Sequence, residues 1–131
     1  MDPKGRVSLP AAFRRGEENG RFVLLQWEPP YLTLFPEDAW TTVQERILEH
    51  RRSPDAGRFL RQITSNAAEV SPDKQGRILI PSWLQEAAGL DGTVLLVGAI
   101  DRVEIWSPER FEEAVPDEPQ DFRELASQIF G

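Results

Sequence analysis

The sequence predicts a mixed β+α protein built from two tandem copies of one unit, with amphipathic helices added after each copy. Three observations predict it. "DPKGRVSLP" from Asp2 is nearly repeated as "DKQGRILIP" from Asp73. A single offset of 71, without a gap, then carries Asp2, Gly5, Arg6 and Pro10 onto Asp73, Gly76, Arg77 and Pro81. The same offset carries Val23, Leu24 and Leu25 onto Val94, Leu95 and Leu96, and Leu32, Leu34, Phe35 and Trp40 onto Val103, Ile105, Trp106 and Phe111. Third, the apolar spacing changes within each copy from alternation, as in strands, to steps of three and four, as in helices.

Each copy opens on Asp-x-x-Gly. Asp bonds its own downstream backbone and Gly accepts the positive φ that closes a turn, so a hairpin tip is expected there. "RVSLP" and "RILIP" follow as short strands, stopped by Pro10 and Pro81. Proline suits a first helical turn, so "PAAFRR" and "PSWLQEAAG" are read as short helices, the second closed by Gly89. "RFVLLQW" with "YLTLF", and "GTVLLVG" with "RVEIW", are expected as strand pairs joined tightly at "EPP" and "AID". Pro36 opens a helix striped by Trp40, Val43, Ile47 and Leu48, with Glu37 and Asp38 at its positive end. Pro54 restarts a segment carrying Phe59, Leu60 and Ile63. Phe122, Leu125, Ala126, Ile129 and Phe130 form a last stripe, and all three stripes are read as packing faces. "TSNAAEV" is read as a strand feeding the Asp73 turn. Its counterpart under the offset would precede Met1, so the first copy is expected to lack its opening strand.

At 131 residues, two independent cores would each be marginal. With 40% hydrophobic residues the chain has enough apolar material to fold. It contains no cysteine, which excludes disulfides and thiolate chemistry and fits a reducing compartment, so the cytoplasm is expected. No apolar run reaches the ~18 residues of a membrane helix, and no membrane partner is expected. The net charge of -7 argues against nucleic acid until its distribution is considered. Residues 101–131 hold nine acids against three arginines, which leaves the rest nearly neutral. Residues 1–15 set Lys4, Arg6, Arg14 and Arg15 against Asp2 alone, and local sign governs steering.

The doubled Asp-x-x-Gly-Arg turn, each copy running into a strand that ends in "LP" or "IP", resembles the MraZ family, close to the AbrB/SpoVT group of bacterial transcription factors. Asp2 to Arg6 and Asp73 to Arg77 both match the family's Asp-x-x-x-Arg signature, and the likeness spans essentially the whole chain. It implies a swapped-hairpin AbrB-like β-barrel whose two halves pair inside one chain. The division expected is a first half at 1–43, a helical connector at 44–66, a second half at 67–115 and a C-terminal helix at 116–131. The resemblance also implies a repressor of its own cell-division and cell-wall operon, bound to short direct repeats of double-stranded promoter DNA and associated with the nucleoid. It further implies a homo-oligomeric ring of eight to twelve subunits. Family members carry about ten residues ahead of the first Asp that form a strand, so the resemblance implies that this strand is missing here, through a late start codon or a truncation. A chain without it should be less stable, or altered in oligomerisation, compared with one extended upstream.

The DNA-binding residues expected are Lys4, Arg6, Arg14, Arg15, Lys74 and Arg77, with Asp2, Gly5, Asp73 and Gly76 shaping the turns. Arg6 and Lys4 can neutralise phosphates, which sets affinity, or read guanine, which sets specificity. A plainer reading has Asp2 and Arg6 pairing only to hold the fold, and both roles are expected together. Gln85 and Glu86 stand where the first copy has Arg14 and Arg15, so the more basic first copy is expected to be the main contact. Arg46, Arg51, Arg52, Arg58 and Arg61, with His50, are read as a solvated, salt-bridged face among Glu45, Glu49 and Asp55 in preference to a DNA contact, or as a subunit contact against the acidic C-terminal segment. His50 is the only histidine, and no triad or metal-ligand spacing occurs, so neither an enzyme, a metal site nor a cofactor is expected. AbrB-like antitoxins are the competing class. They carry one half per chain and a disordered tail, unlike the two halves with helices here.

Overall fold

The computed structural model describes residues 1–14, 20–114 and 119–130. The first repeat supplies β1 (Arg6–Ser8), α1 (Ala11–Arg14), β2 (Phe22–Leu25), β3 (Leu32–Pro36) and α2 (Glu37–Glu49). After α3 (Pro54–Asn66) and β4 (Ala68–Val70), the second repeat gives β5 (Arg77–Leu79), α4 (Ser82–Ala88), β6 (Leu95–Ala99), β7 (Arg102–Trp106) and α5 (Pro108–Ala114). α6 (Pro119–Phe130) follows. As expected, the strands pair as β2–β3 and β6–β7, and Gly89 ends α4 in the left-handed conformation at φ 63°.

The strands form one two-stranded sheet, β1–β5, and one five-stranded antiparallel sheet in the order β4-β2-β3-β7-β6. Two pairings join the repeats about equivalent residues. Val7 faces Ile78 between β1 and β5, and Thr33 faces Glu104 between β3 and β7; each pair is related by the offset of 71. A local pseudo-twofold axis therefore runs through both pairings. β4 covers the outer edge of β2, whereas β6, the repeat equivalent of β2, ends the sheet. The difference shows in burial: β2 is buried throughout and β6 is largely half-buried.

The pairing corrects one expectation. β4 and β5 flank the Asp73 turn but lie in different sheets, so that turn is a link between sheets and not a hairpin tip. β5 takes β1 as its partner because Val7 and Ile78, 4% and 0% exposed, bury together. The strand expected over "TSNAAEV" is also shorter, since Thr64 to Asn66 complete α3.

One core cluster lies between the sheets and α4, with Phe22, Leu24, Leu34, Ile78, Ile80, Leu84 and Ile105 buried. A second, around Val23, Leu25, Phe35, Ile47 and Ile63, seats α2 and α3. Burying a side chain of this size contributes roughly 1.5–3 kcal/mol. Asn66 fastens the end of α3 to β2 by accepting from the Gln26 amide at 2.9 Å and donating to its carbonyl at 3.2 Å. The α2 stripe packs as expected through Trp40, Val43 and Ile47, whereas Leu48 and the α6 stripe depart from expectation. Leu48 is 54% exposed on α2, and Phe122, Leu125, Ile129 and Phe130 of α6 stand 57 to 86% exposed, because no element among the described residues covers them. The basic residues of α2 and α3 form no ion pairs among the described residues, so that face is solvated without being salt-bridged.

Candidate nucleic-acid interface

The two turns are built alike. In the first, the Asp2 amide donates to the Arg6 carbonyl at 2.9 Å and the Gly5 amide to the Asp2 carbonyl at 3.0 Å. Asp2 Oδ1 accepts from the amides of Lys4 and Arg6 at 3.0 and 2.8 Å, and Arg6 Nε donates to Oδ2 at 2.7 Å. The second turn repeats this: Asp73 Oδ1 accepts from Gln75 and Arg77 amides, each at 2.9 Å, and Arg77 Nε donates to Oδ2 at 3.0 Å. Gly5 and Gly76 hold φ at +84° and +77°, a conformation that disfavours a side chain.

The backbone bonds set the two carboxylates. The Arg6 amide is the main cause that holds the Asp2 carboxyl below its ordinary range, partly opposed by desolvation and helped by the Arg6 side chain. Asp73 is lowered in the same way, first by the Arg77 amide. Both carboxylates stay charged and keep their arginines oriented through Nε. The terminal Nη groups of each guanidinium then form the fork that suits an acceptor pair such as guanine O6 and N7.

The β1–β5 pairing brings the arginines to one face. With Val7 and Ile78 turned inward, strand alternation turns Arg6, Ser8, Arg77 and Leu79 outward. Asp2 Oδ2 also lies 3.9 Å from Arg77 Nη1, so the turns of both repeats adjoin. Lys4 and Lys74 are exposed beside them. Arg14 is half-buried, with its guanidinium against Gly76 of the other repeat, and its Nε is buried without a hydrogen-bond partner. Gln85, its repeat equivalent, lies against Gly5 and donates to the Ile80 carbonyl at 2.7 Å. Arg15 falls outside the described residues.

Sequence reasoning did not single out Ser8 or Leu79, and marked Gln85 only as the residue at the place of Arg14. The alternation of "RVS" and "RIL" was the available signal for the first two, since residues two apart share a face. Nothing local signals that Gln85 packs on a turn some eighty residues away.

The family model described as "MraZ protein, putative antitoxin-like" matches residues 1–62 and again 63–129. A protein named transcriptional regulator MraZ from Carboxydothermus hydrogenoformans is 39% identical over 98% of this chain and 90% of its own length. One of the same name from Caldanaerobacter subterraneus subsp. tengcongensis is 40% identical over 98% and 90%. Another from Thermomicrobium roseum is 41% identical over 85% and 78%. With both repeats matched by the family model and near-full-length relatives at this identity, the chain belongs to the MraZ family.

Proposed function

We propose that this protein is a sequence-specific DNA-binding transcriptional regulator, repressing its own cell-division and cell-wall operon through short direct repeats upstream. The observation that carries the reading is the β1–β5 ribbon, which turns Arg6 and Arg77 to one exposed face with Lys4 and Lys74 beside it. A two-stranded ribbon fits a major groove about 12 Å wide, where arginine forks pair with guanine. The relatives' name, transcriptional regulator, points the same way. The first copy, with Lys4 and Arg6 in its turn and Arg14 and Arg15 after it, makes the main contact, and Lys74 and Arg77 complete it.

The fold in this reading is a swapped-hairpin AbrB-like barrel, with halves at 1–43 and 67–115, a connector at 44–66 and a C-terminal helix at 116–131. Its support is the interleaving of repeats in β1–β5, β4–β2 and β3–β7. The protein acts in the cytoplasm on the nucleoid, as a ring of eight to twelve copies. The contact between neighbours seats α6 of one copy in a groove of about 430 Å³ on the next, lined by Trp27, Val43, Ile47 and Phe59 with Arg46 and His50. The exposed apolar face of α6, in an acidic segment, complements that basic-edged groove in both respects.

Footprinting of the DNA upstream of its own gene tests the function. Protection of direct repeats spaced roughly 10 bp apart is expected, one helical turn for subunits meeting one face of the duplex. Uniform or absent protection contradicts it. Copurification with a small nuclease would favour the antitoxin-like role in the family's description instead.

A further inference from the structure

The ribbon's outer face breaks the symmetry of the repeat at one position. The Ile80 amide donates to the Gly5 carbonyl and the Leu9 amide to the Gly76 carbonyl, each at 2.9 Å. Every second pair, Gly5/Ile80, Val7/Ile78 and Leu9/Gly76, is thus in hydrogen-bonded register. Arg6/Leu79 and Ser8/Arg77 are the close, non-hydrogen-bonded pairs between them. The pseudo-twofold axis at Val7/Ile78 exchanges Arg6 with Arg77, like for like. It exchanges Ser8 with Leu79, which are unlike.

Leu79 is 54% exposed, directly across from Arg6 and two residues from Arg77 on the same face. This is an apolar side chain set between two cations at the centre of the face assigned to DNA. The apolar feature a major groove offers is the C5 methyl of thymine, whereas a serine hydroxyl can bond several base edges.

We propose that Leu79 reads a thymine methyl, and that the Ser8/Leu79 difference gives the ribbon a direction. The inference rests on the DNA-binding reading above. A fully symmetric ribbon would match an inverted site equally in both senses. One with Leu79 on a single arm distinguishes the two orientations, as directly repeated sites require.

The test replaces each thymine of the upstream duplex in turn by deoxyuridine, which removes only the methyl. Wild type, Leu79→Ala, Leu79→Ile and Ser8→Leu are compared, with a scrambled duplex alongside. One position is expected at which deoxyuridine weakens wild-type binding about three- to fourfold, the worth of one buried carbon group. Leu79→Ala should lose that sensitivity, and Leu79→Ile should keep it. Ser8→Leu should add a second sensitive position, related to the first by the ribbon's twofold axis.

A wild type that prefers the upstream duplex but shows no Leu79-dependent methyl position overturns the inference alone. So does a Leu79→Ala protein whose only change is in oligomer size, which would make Leu79 a subunit contact. A wild type without preference for the upstream duplex overturns the DNA-binding reading and this inference together.

Discussion

Val7 and Ile78 face each other across the β1–β5 ribbon, and they are the same position of the repeat. The equivalence continues into the turns, where Asp2 bonds Arg6 at 2.7 Å and lies 3.9 Å from Arg77. One surface is therefore made by two segments seventy-one residues apart in sequence. Neither repeat makes it alone.

Because Asp2 touches the arginines of both turns and Asp73 that of its own, Asp2→Asn should disturb the face more than Asp73→Asn. Melting temperature and affinity for the upstream duplex should both fall further for Asp2→Asn. Equal effects would make the 3.9 Å approach to Arg77 irrelevant.

The lowered carboxyls of Asp2 and Asp73 give a pH dependence of known sign. A carboxyl whose folded pKa is depressed contributes stability above its unfolded pKa and loses it as pH falls through the folded value. Their contribution should be constant from neutral pH down to the ordinary carboxylate range and disappear below it. Denaturation followed across that range, in wild type and in the Asp2→Asn, Asp73→Asn double variant, should show a shallower acid limb in the variant.

Gly5→Ala and Gly76→Ala should each lose about 1–2 kcal/mol, since an L side chain pays that much in the left-handed region. Gly5→Ala should be the worse. A Cβ at Gly5 would come within 3.2 Å of the Ile80 backbone carbonyl, whereas at Gly76 it meets the Arg14 guanidinium at 3.1 Å, which can swing away. Urea midpoints at unchanged slope report both.

Ile100 offers the opposite case. It sits at φ 63° in the β6–β7 turn and is 97% exposed, so burial offsets little of its strain. Ile100→Asn should raise stability by about 1 kcal/mol, because Asn tolerates this conformation. A lower urea midpoint in the variant would contradict the strain.

Reversing Arg46 to Glu at the groove's edge, or Phe122 and Ile129 to Ser on α6, should shift the protein to smaller oligomers in light scattering. Size unchanged in both variants would sink the α6-in-groove contact.

The turns were legible because their chemistry is local: Asp and Gly act within five residues, and the bonds of Asp2 and Asp73 follow. Strand pairs closed by short joins were legible for the same reason. The β1–β5 partnership was not, because it is a contact between distant segments. The hairpin expected at Asp73 yielded to the burial of Val7 against Ile78. Periodicity correctly marked the apolar stripe of α6, but a period says that a face is apolar and not what covers it. The packing of Arg14 on Gly76 and of Gln85 on Gly5 had no sequence signal at all.

The most direct measurement is binding to the upstream duplex and to a scrambled one, at two salt concentrations, for wild type and Arg6→Ala. A preference for the upstream duplex that Arg6→Ala abolishes is the predicted result. Equal, weak binding to both duplexes, falling steeply with salt, would mean phosphate attraction alone and would contradict the account.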